Sequence, residues 1–209
     1  MNRGFTLVEL VVAITLASII FAGVGSLMAS AFRHELLSVR QQALQGAATI
    51  ASKRIQKDLS EATFIKSPAL GAQGDTLEIL LGCVYDPAGW KTVGSTTGRR
   101  VFRRCLNGSE YELQYFAYSG GSCGSYSSAI PPSCGGAAIK LVSLPVRFNY
   151  QAGRTYVFSR VDTLSNAYVD NFDKVDVFFQ VVFPALTATP QITLEVETRL
   201  TAGTTGLQP

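Results

Sequence analysis

The sequence has little of what most enzymes and metalloproteins require. Its 209 residues include a single histidine, His34, so a histidine-based triad or a histidine-rich zinc site has at most one candidate residue. It also lacks a phosphate-binding glycine loop, a dinucleotide-binding fingerprint and a serine-nucleophile elbow. These absences argue against most hydrolase, nucleotide-binding and metalloenzyme functions. We predict no catalytic residue, no cofactor and no enzymatic activity.

Charge is also scarce, at 16% of the residues, whereas 47% are hydrophobic. The 18 Lys and Arg residues exceed the 15 Asp and Glu residues by only three. Such a chain is too apolar to be disordered and too weakly basic to require a nucleic-acid partner. Its length is sufficient for one ordinary domain with a buried core.

The four cysteines, Cys83, Cys105, Cys123 and Cys134, show no Cys-x-x-Cys spacing. An even set of this kind predicts two disulfides in an exported domain rather than a zinc site or a redox motif. Four cysteines permit three pairings. We favour pairing between neighbours in the sequence, Cys83 with Cys105 and Cys123 with Cys134, because the latter bridge would close a Gly-, Ser- and Pro-rich loop.

The apolar residues are concentrated near the N-terminus, where 23 consecutive residues between Glu9 and Arg33 carry no charge. As a helix this stretch would span about 35 Å, enough to cross a bilayer core. Arg3 precedes it, so the positive-inside rule places the N-terminus in the cytoplasm and the remainder of the chain outside.

Three fates of this segment are consistent with its composition. Signal peptidase could cut after Ala31, within Ala29-Ser30-Ala31, and release a secreted β-rich binding module or hydrolase that begins at Phe32. The segment could instead remain as an uncut anchor. The third interpretation starts from Glu9, because a carboxylate just inside an apolar helix needs a partner, and a neutral residue would serve either alternative better.

A short basic leader is followed by Gly4-Phe5-Thr6-Leu7-Val8-Glu9-Leu10. This segment closely resembles the N-terminal processing motif of type IV prepilins and pseudopilins. The resemblance implies that prepilin peptidase removes residues 1–4 by cutting after Gly4, and that the new terminal residue, Phe5, is N-methylated by the same processing system. Cleavage would leave 209 − 4 = 205 residues with the apolar helix retained.

Processing of this kind would place an ammonium group on Phe5, one helical turn before Glu9. An ion pair costs less in lipid than a lone charge, so we expect Glu9 to bind the terminal amine of an adjacent subunit during filament assembly. The alternative is that the Glu9 side chain only reaches the headgroups at the membrane surface.

Helical periodicity continues beyond the apolar segment, and no proline occurs from Met1 to Ser67. We therefore predict one helix over residues 5–62, transmembrane over about 10–32. Its rear half carries an apolar stripe formed by Leu37, Leu44, Ala48, Ala51, Ile55, Leu59 and Ala62.

The end of this helix, Ile55 to Ala62 with Asp58 and Ala62 at the matching positions, resembles J-class minor pseudopilins of type II secretion and W-class minor type IV pilins. The resemblance implies a minor subunit that initiates or caps a type IV pilus or pseudopilus. Its partners would be other minor subunits, the major subunit, the inner membrane and the peptidase.

The remaining chain, residues 63–209, is predicted to form an antiparallel, β-rich periplasmic domain, so the fold class is α+β with a pilin-like architecture. Asn107-Gly108 indicates a tight hairpin. The predicted strands are Thr76 to Val84, Arg100 to Cys105, Glu110 to Tyr118, Ala138 to Tyr150, Thr155 to Asp162, Lys174 to Phe183 and Gln191 to Leu200.

Three further groups have competing interpretations. Arg99, Arg100, Arg103 and Arg104 lie near several aromatic residues and could contact nucleic acid, but on a strand they would fall on both faces, so we predict a solvated edge. Trp90 is predicted to belong to a small satellite core rather than to anchor a partner. Calcium could be bound by Asp170, Asn171, Asp173 and Asp176, but their spacing is more typical of a turn, and no metal site is predicted.

Overall fold

The computed structural model describes residues 6–86, 88–135, 138–142, 145–161, 174–185 and 190–202. The chain divides into two compact units, residues 1–42 and 43–209. The predicted fold class is confirmed, because a long apolar helix at the N-terminus is followed by an antiparallel β-rich domain.

Helix α1 (Leu7–Ser60) has 54 residues, and each end lies within two residues of the predicted range 5–62. In the first unit its apolar side chains are exposed; Phe21 and Leu27, for example, are 76% and 73% exposed. A continuous apolar surface of this size is unfavourable in water. Among the described residues, α1 is the one helix long and apolar enough to cross a membrane. The first unit thus has the properties of a membrane anchor.

In the second unit, the remainder of α1 buries one face against the β-rich domain. Leu44, Ala51, Ile55 and Leu59 are at most 1% exposed, and Ala48 is 6% exposed. They share one core with residues of both large sheets, including Phe102 and Tyr115 from one sheet and Val177, Phe179 and Val181 from the other. The apolar stripe predicted for the rear half of the helix is therefore confirmed from Leu44 to Ala62.

Twelve strands and one short helix follow α1 in the described part of the chain. They are β1 (Phe64–Ser67), β2 (Gln73–Gly74), β3 (Thr76–Leu81), β4 (Cys83–Asp86), β5 (Gly89–Thr92), β6 (Gly98–Asn107), β7 (Glu110–Ser119), α2 (Cys123–Ser128), β8 (Ile139–Val142), β9 (Arg147–Asn149), β10 (Phe158–Val161), β11 (Lys174–Phe183) and β12 (Ile192–Thr201).

The strands form two five-stranded antiparallel sheets and one two-stranded ribbon. The first sheet has the order β1-β3-β6-β7-β8; the second has the order β12-β11-β10-β2, with β9 also paired to β11; β4 pairs with β5. The predicted hairpin joins β6 to β7, where Asn107 pairs with Glu110 and Gly108 has a φ of +64°. A positive φ at this turn is readily adopted by glycine, which explains why the sequence signal is reliable.

Four predicted strands differ from the observed ones by two residues or more at an end. The strand predicted over Arg100 to Cys105 is longer, as β6, and β10 begins at Phe158 rather than at Thr155. The other two are interrupted. The strand predicted over Thr76 to Val84 breaks at Gly82, which has a φ of +63° and approaches the carbonyl oxygen of Thr96 so closely that a Cβ would lie 2.3 Å from it. The strand predicted over Ala138 to Tyr150 is divided into β8 and β9, which belong to different sheets. Strands β1, β2 and β5 and helix α2 were not predicted, because segments of two to six residues carry too little periodicity.

The core face of α1 can be tested with two isoleucines of the same helix. Ile55 is fully buried and Ile50 is 60% exposed. We expect Ile55→Ala to lower the free energy of unfolding by about 2 to 5 kcal/mol, because it leaves a cavity. The matched control, Ile50→Ala, should change it by no more than about 0.5 kcal/mol. Denaturant unfolding of the full chain in detergent, followed by Trp90 fluorescence, measures both; equal effects would show that this face is not the core face.

Candidate functional site

The first turn of α1 is closed by a reciprocal pair of side chains, Thr6 and Glu9. Glu9 Oε2 accepts hydrogen bonds from Thr6 N at 3.0 Å and from Thr6 Oγ1 at 2.9 Å, while Thr6 Oγ1 accepts one from Glu9 N at 3.3 Å. This is a capping box, which satisfies donors that the helix start leaves without partners. The sequence analysis missed the role of Thr6, although the Thr-x-x-Glu spacing is the signal that predicts it.

The capping box leaves the charge of Glu9 uncompensated. Both of its donors on Thr6 are neutral, and within the described residues no hydrogen bond reaches Glu9 Oε1. The side chain is exposed, and the next charged residue along the chain is Arg33. The predicted processing residues, Gly4 and Phe5, lie outside the described residues. Glu9 can therefore accept a further donor, and a cationic donor would neutralise it.

The alternative cleavage segment, Ala29-Ser30-Ala31, lies in the interior of α1. Its residues are helical and exposed, and helix continues on both sides without interruption. A cut after Ala31 would therefore divide one continuous helix. The residues that pack the domain core, from Leu44 onward, would remain with the released part.

Both disulfides are formed, but the predicted pairing is wrong. Cys83 pairs with Cys123 and Cys105 with Cys134, with Cα–Cα distances of 5.5 and 5.4 Å. All four cysteines are used. Residues 123–134, hereafter the tethered segment, do not form a closed loop. They run across one face of the first sheet. One end, Cys123, is bonded to β4, and the other, Cys134, is bonded to β6.

A buried charge cluster also holds the tethered segment. Glu78, fully buried on β3, accepts from Arg99 Nε at 2.7 Å and forms an ion pair with Lys66 Nζ at 2.9 Å. Both cations also donate to backbone carbonyls of the segment: Lys66 to Tyr126 at 3.2 Å, and Arg99 to Ile130 at 2.9 Å. Each charge in the cluster has an oppositely charged partner. Through these ion pairs and the two carbonyl contacts, the cluster joins β1, β3 and β6 to the segment.

The four clustered arginines are on both faces of β6, as predicted. The predicted solvated edge is wrong, because β6 is the middle strand of the first sheet, Arg99 is 5% exposed and each arginine has contacts within the domain. Arg103 donates to the carbonyl of Pro132 at 2.6 Å, and Arg100 to that of Tyr118 at 2.7 Å. The guanidinium of Arg104 lies between the rings of Tyr111 and Tyr150, 3.3 and 3.6 Å from their centroids. Together with Arg99, they fix elements of the domain to one another and do not form one continuous basic surface.

Two further ionisable groups have shifted pKa values because of internal contacts. Burial, together with a hydrogen bond donated to Asp75 Oδ2 at 2.5 Å, raises the pKa of Tyr150 to about 12. Burial acts to raise the pKa of Glu112, but donors on Lys140, Asn107 and Gln114 hold it below its ordinary value. Each shift has a structural cause within the domain.

Of the candidate calcium ligands, Asp176 is described, whereas Asp170, Asn171 and Asp173 lie outside the described residues. The Asp176 carboxylate accepts two hydrogen bonds from Arg199 of the neighbouring strand β12, from Nε at 2.6 Å and from Nη2 at 2.9 Å. No group of three or more His, Cys, Asp or Glu residues arranged to hold a metal occurs in the part of the chain that the structure describes. Asp176 therefore serves as one half of a cross-strand ion pair.

Trp90 belongs to a small second core, as predicted. Its ring meets Phe64 edge-on, with centroids 5.0 Å apart, and Tyr85 at 5.3 Å. The ring packs against a cluster that contains the Cys83–Cys123 disulfide, Leu80 and Tyr126. Its contacts are therefore accounted for by the fold itself.

Residues 1–25 match a family model described as the prokaryotic N-terminal methylation motif. No curated protein and no solved structure is significantly similar to the chain. The match includes Gly4 to Leu10 and supports the resemblance of this segment, at a coarse level, to a type IV pilin-like N-terminal motif. It does not include the β-rich domain, and it does not distinguish J-class from W-class subunits.

The disulfide pairing can be tested by peptide mapping without reduction. We expect linked peptides that join Cys83 to Cys123 and Cys105 to Cys134. Replacing both Cys105 and Cys134 by alanine should lower stability by roughly 3 to 4 kcal/mol on the loop-entropy model, because the bridge closes a loop of 29 residues. The Cys83–Cys123 peptide is the internal control in this variant. A peptide that links Cys123 to Cys134 in the unaltered protein would contradict the structure.

Proposed function

We propose that the chain is a minor pilin- or pseudopilin-like subunit of a type IV pilus or type II secretion filament. Prepilin peptidase cuts after Gly4, and the amine of Phe5 is methylated. The first part of α1 anchors the subunit in the inner membrane with its N-terminus in the cytoplasm, and the β-rich domain lies in the periplasm. The methylation motif over residues 1–25, at the start of a long apolar helix, is the observation that supports this proposal most strongly.

Assembly depends on Glu9 in this proposal. Thr6 supplies neutral donors to one carboxylate oxygen, and the other oxygen accepts the methylated ammonium of a neighbouring subunit. Since no other charge lies between Glu9 and Arg33, a neighbour displaced along the helix axis finds no substitute acceptor. The ion pair therefore selects one axial register between subunits as well as favouring association.

The exported domain supports the proposed location. Two disulfides form stably in an oxidising compartment such as the periplasm. The division into a leader of residues 1–4, a helix over 5–62 and a domain over 63–209 remains part of the proposal.

The proposed minor class rests on the resemblance of the helix end. Asp58, one of the two matching positions, is 2% exposed and forms an ion pair with Arg54 at 3.3 Å. Arg54 also donates to the hydroxyl of Tyr115 on β7. This cluster joins the end of α1 to the first sheet and supports a structural role for the matching position. We infer a role in initiating or capping the filament, with other minor subunits and the major subunit as partners.

The proposed topology predicts a membrane-bound protein with an exported domain. After alkaline carbonate washing, the chain should stay with the membrane pellet, because the first part of α1 spans the bilayer. Protease added to spheroplasts should digest the β-rich domain while a cytoplasmic marker protein stays intact. A water-soluble domain released into the periplasm would instead support the secreted binding module or hydrolase that cleavage after Ala31 would produce.

The role of Glu9 can be tested with two substitutions that separate capping from charge. Glu9→Gln keeps an oxygen that can accept from Thr6 and complete the capping box, but it carries no charge. Glu9→Ala removes both. We expect both variants to be processed and inserted normally, and both to be largely lost from filaments recovered by shearing, because neither binds an ammonium group. Glu61→Gln, at an exposed site, is the control. Normal incorporation of the Glu9→Gln variant into filaments would show that Glu9 acts only as a helix cap and would contradict the charge-pairing role.

A further inference from the structure

Strand β12 presents a long free edge. It pairs with β11 through ten consecutive residue pairs, from Phe183 with Ile192 to Lys174 with Thr201, without a bulge. On its other side, no strand and no backbone hydrogen bond from the described residues reaches it. Along this side, alternate residues of β12 offer N–H and C=O groups that have no backbone partner among the described residues.

The other sheet edges are protected in ways that β12 is not. The strands β1, β2, β8 and β9 contain two to four residues each, and the carbonyl of Ile65 on β1 accepts a hydrogen bond from Arg160 Nη1 at 2.9 Å. Natural proteins block longer edges with proline, lysine or a bulge. None of these occurs in the ten residues of β12. Of the sheet edges that the structure describes, β12 is thus the long one without such protection.

The side chains of β12 define what this edge can bind. Ile192, Leu194 and Val196 point toward the core but are only half-buried. Glu195 and Glu197 are exposed on the opposite face. Glu197 is 61% exposed and forms a long ion pair with Arg154, whose Nη2 lies 3.7 Å from the carboxylate. The charge of Arg199 on this same face is already compensated by Asp176. The free edge therefore combines incompletely covered apolar residues on one face with acidic residues on the other.

We propose that the free edge of β12 is a docking site for an extended segment of another protein with alternating apolar and basic side chains. The segment adds a strand to the second sheet. Its apolar residues extend the row of Ile192, Leu194 and Val196, and its lysines or arginines lie opposite Glu195 and Glu197. A second copy of this chain fits less well, because its β12 offers two more glutamates and an arginine already bound to Asp176. This inference does not depend on Glu9 or on processing after Gly4.

The experiment uses the full chain in detergent and a short fluorescent peptide of alternating valine and lysine. Binding is measured by fluorescence anisotropy, and amide hydrogen exchange reports its location. We expect binding that slows exchange in β12 and leaves β1 and β8 unchanged. A valine–glutamate peptide tests the charge requirement. A valine–lysine peptide with N-methyl groups on both edges controls for binding to the micelle, because it cannot pair as a strand.

Two charge-reversal variants make the test specific. Glu195→Lys combined with Glu197→Lys should weaken binding of the valine–lysine peptide by about tenfold or more and allow the valine–glutamate peptide to bind. Glu35→Lys combined with Glu61→Lys makes the same change in net charge at two exposed positions, one on α1 and one just after its end, and should leave binding unchanged.

Four results would each overturn the proposal. They are absence of binding, binding without protection of β12, equal binding of the N-methylated peptide, and unaltered binding by the Glu195/Glu197 variant. Disulfide cross-linking of Glu195→Cys chains to one another through β12 in the absence of peptide would also contradict it, because a second copy of the chain would then occupy the edge.

Discussion

The account depends on one carboxylate in the first turn of a long helix, ahead of a stretch that carries no charge. Glu9 lies in the first turn of α1, followed by 23 uncharged residues, in a region suited to the interior of a bilayer. A charge there requires a partner, and among the residues that the structure describes only the neutral donors of Thr6 reach it. The capping box begins the helix and holds the carboxylate in a defined position. The geometry leaves an acceptor for a cation from outside the chain.

The second unit is a compact domain built around the continuation of the same helix. One stripe of small and branched side chains, from Leu44 to Leu59, fills a core shared by both large sheets. On the opposite face of the first sheet, two disulfides and the Glu78 cluster hold the tethered segment in place. Arg99 and Arg103 donate to carbonyls of this segment, and Arg100 and Arg104 contact other parts of the domain, where a solvated edge had been predicted. In the described part of this unit, no strand pairs with the outer edge of β12.

The long elements were predicted well because their signals are local. The absence of proline and the apolar spacing predicted α1 to within two residues at each end. The alternating residues of β11 predicted Lys174–Phe183 without error, and Asn107-Gly108 predicted the hairpin. Thr6 was missed even though its signal is also local, because the Thr-x-x-Glu spacing of a capping box is visible in the sequence.

What could not be predicted depends on contacts between distant parts of the chain. Cys123 and Cys134 are near each other in sequence, yet their partners are set by the path of the tethered segment across the first sheet. Strand β2 has two residues and exists because β10 pairs with it. The strand breaks at Gly82, where a positive φ coincides with the close approach of the Thr96 carbonyl, a contact that the local sequence does not reveal.

The most direct test of the central claim is the intact mass and N-terminal sequence of the protein purified from bacterial membranes. The account predicts a chain of 205 residues that begins with N-methylated Phe5 and retains α1, so that the terminal amine lies one turn from Glu9. A purified chain that begins at Phe32, or an unmethylated chain that still carries Gly4, would contradict it.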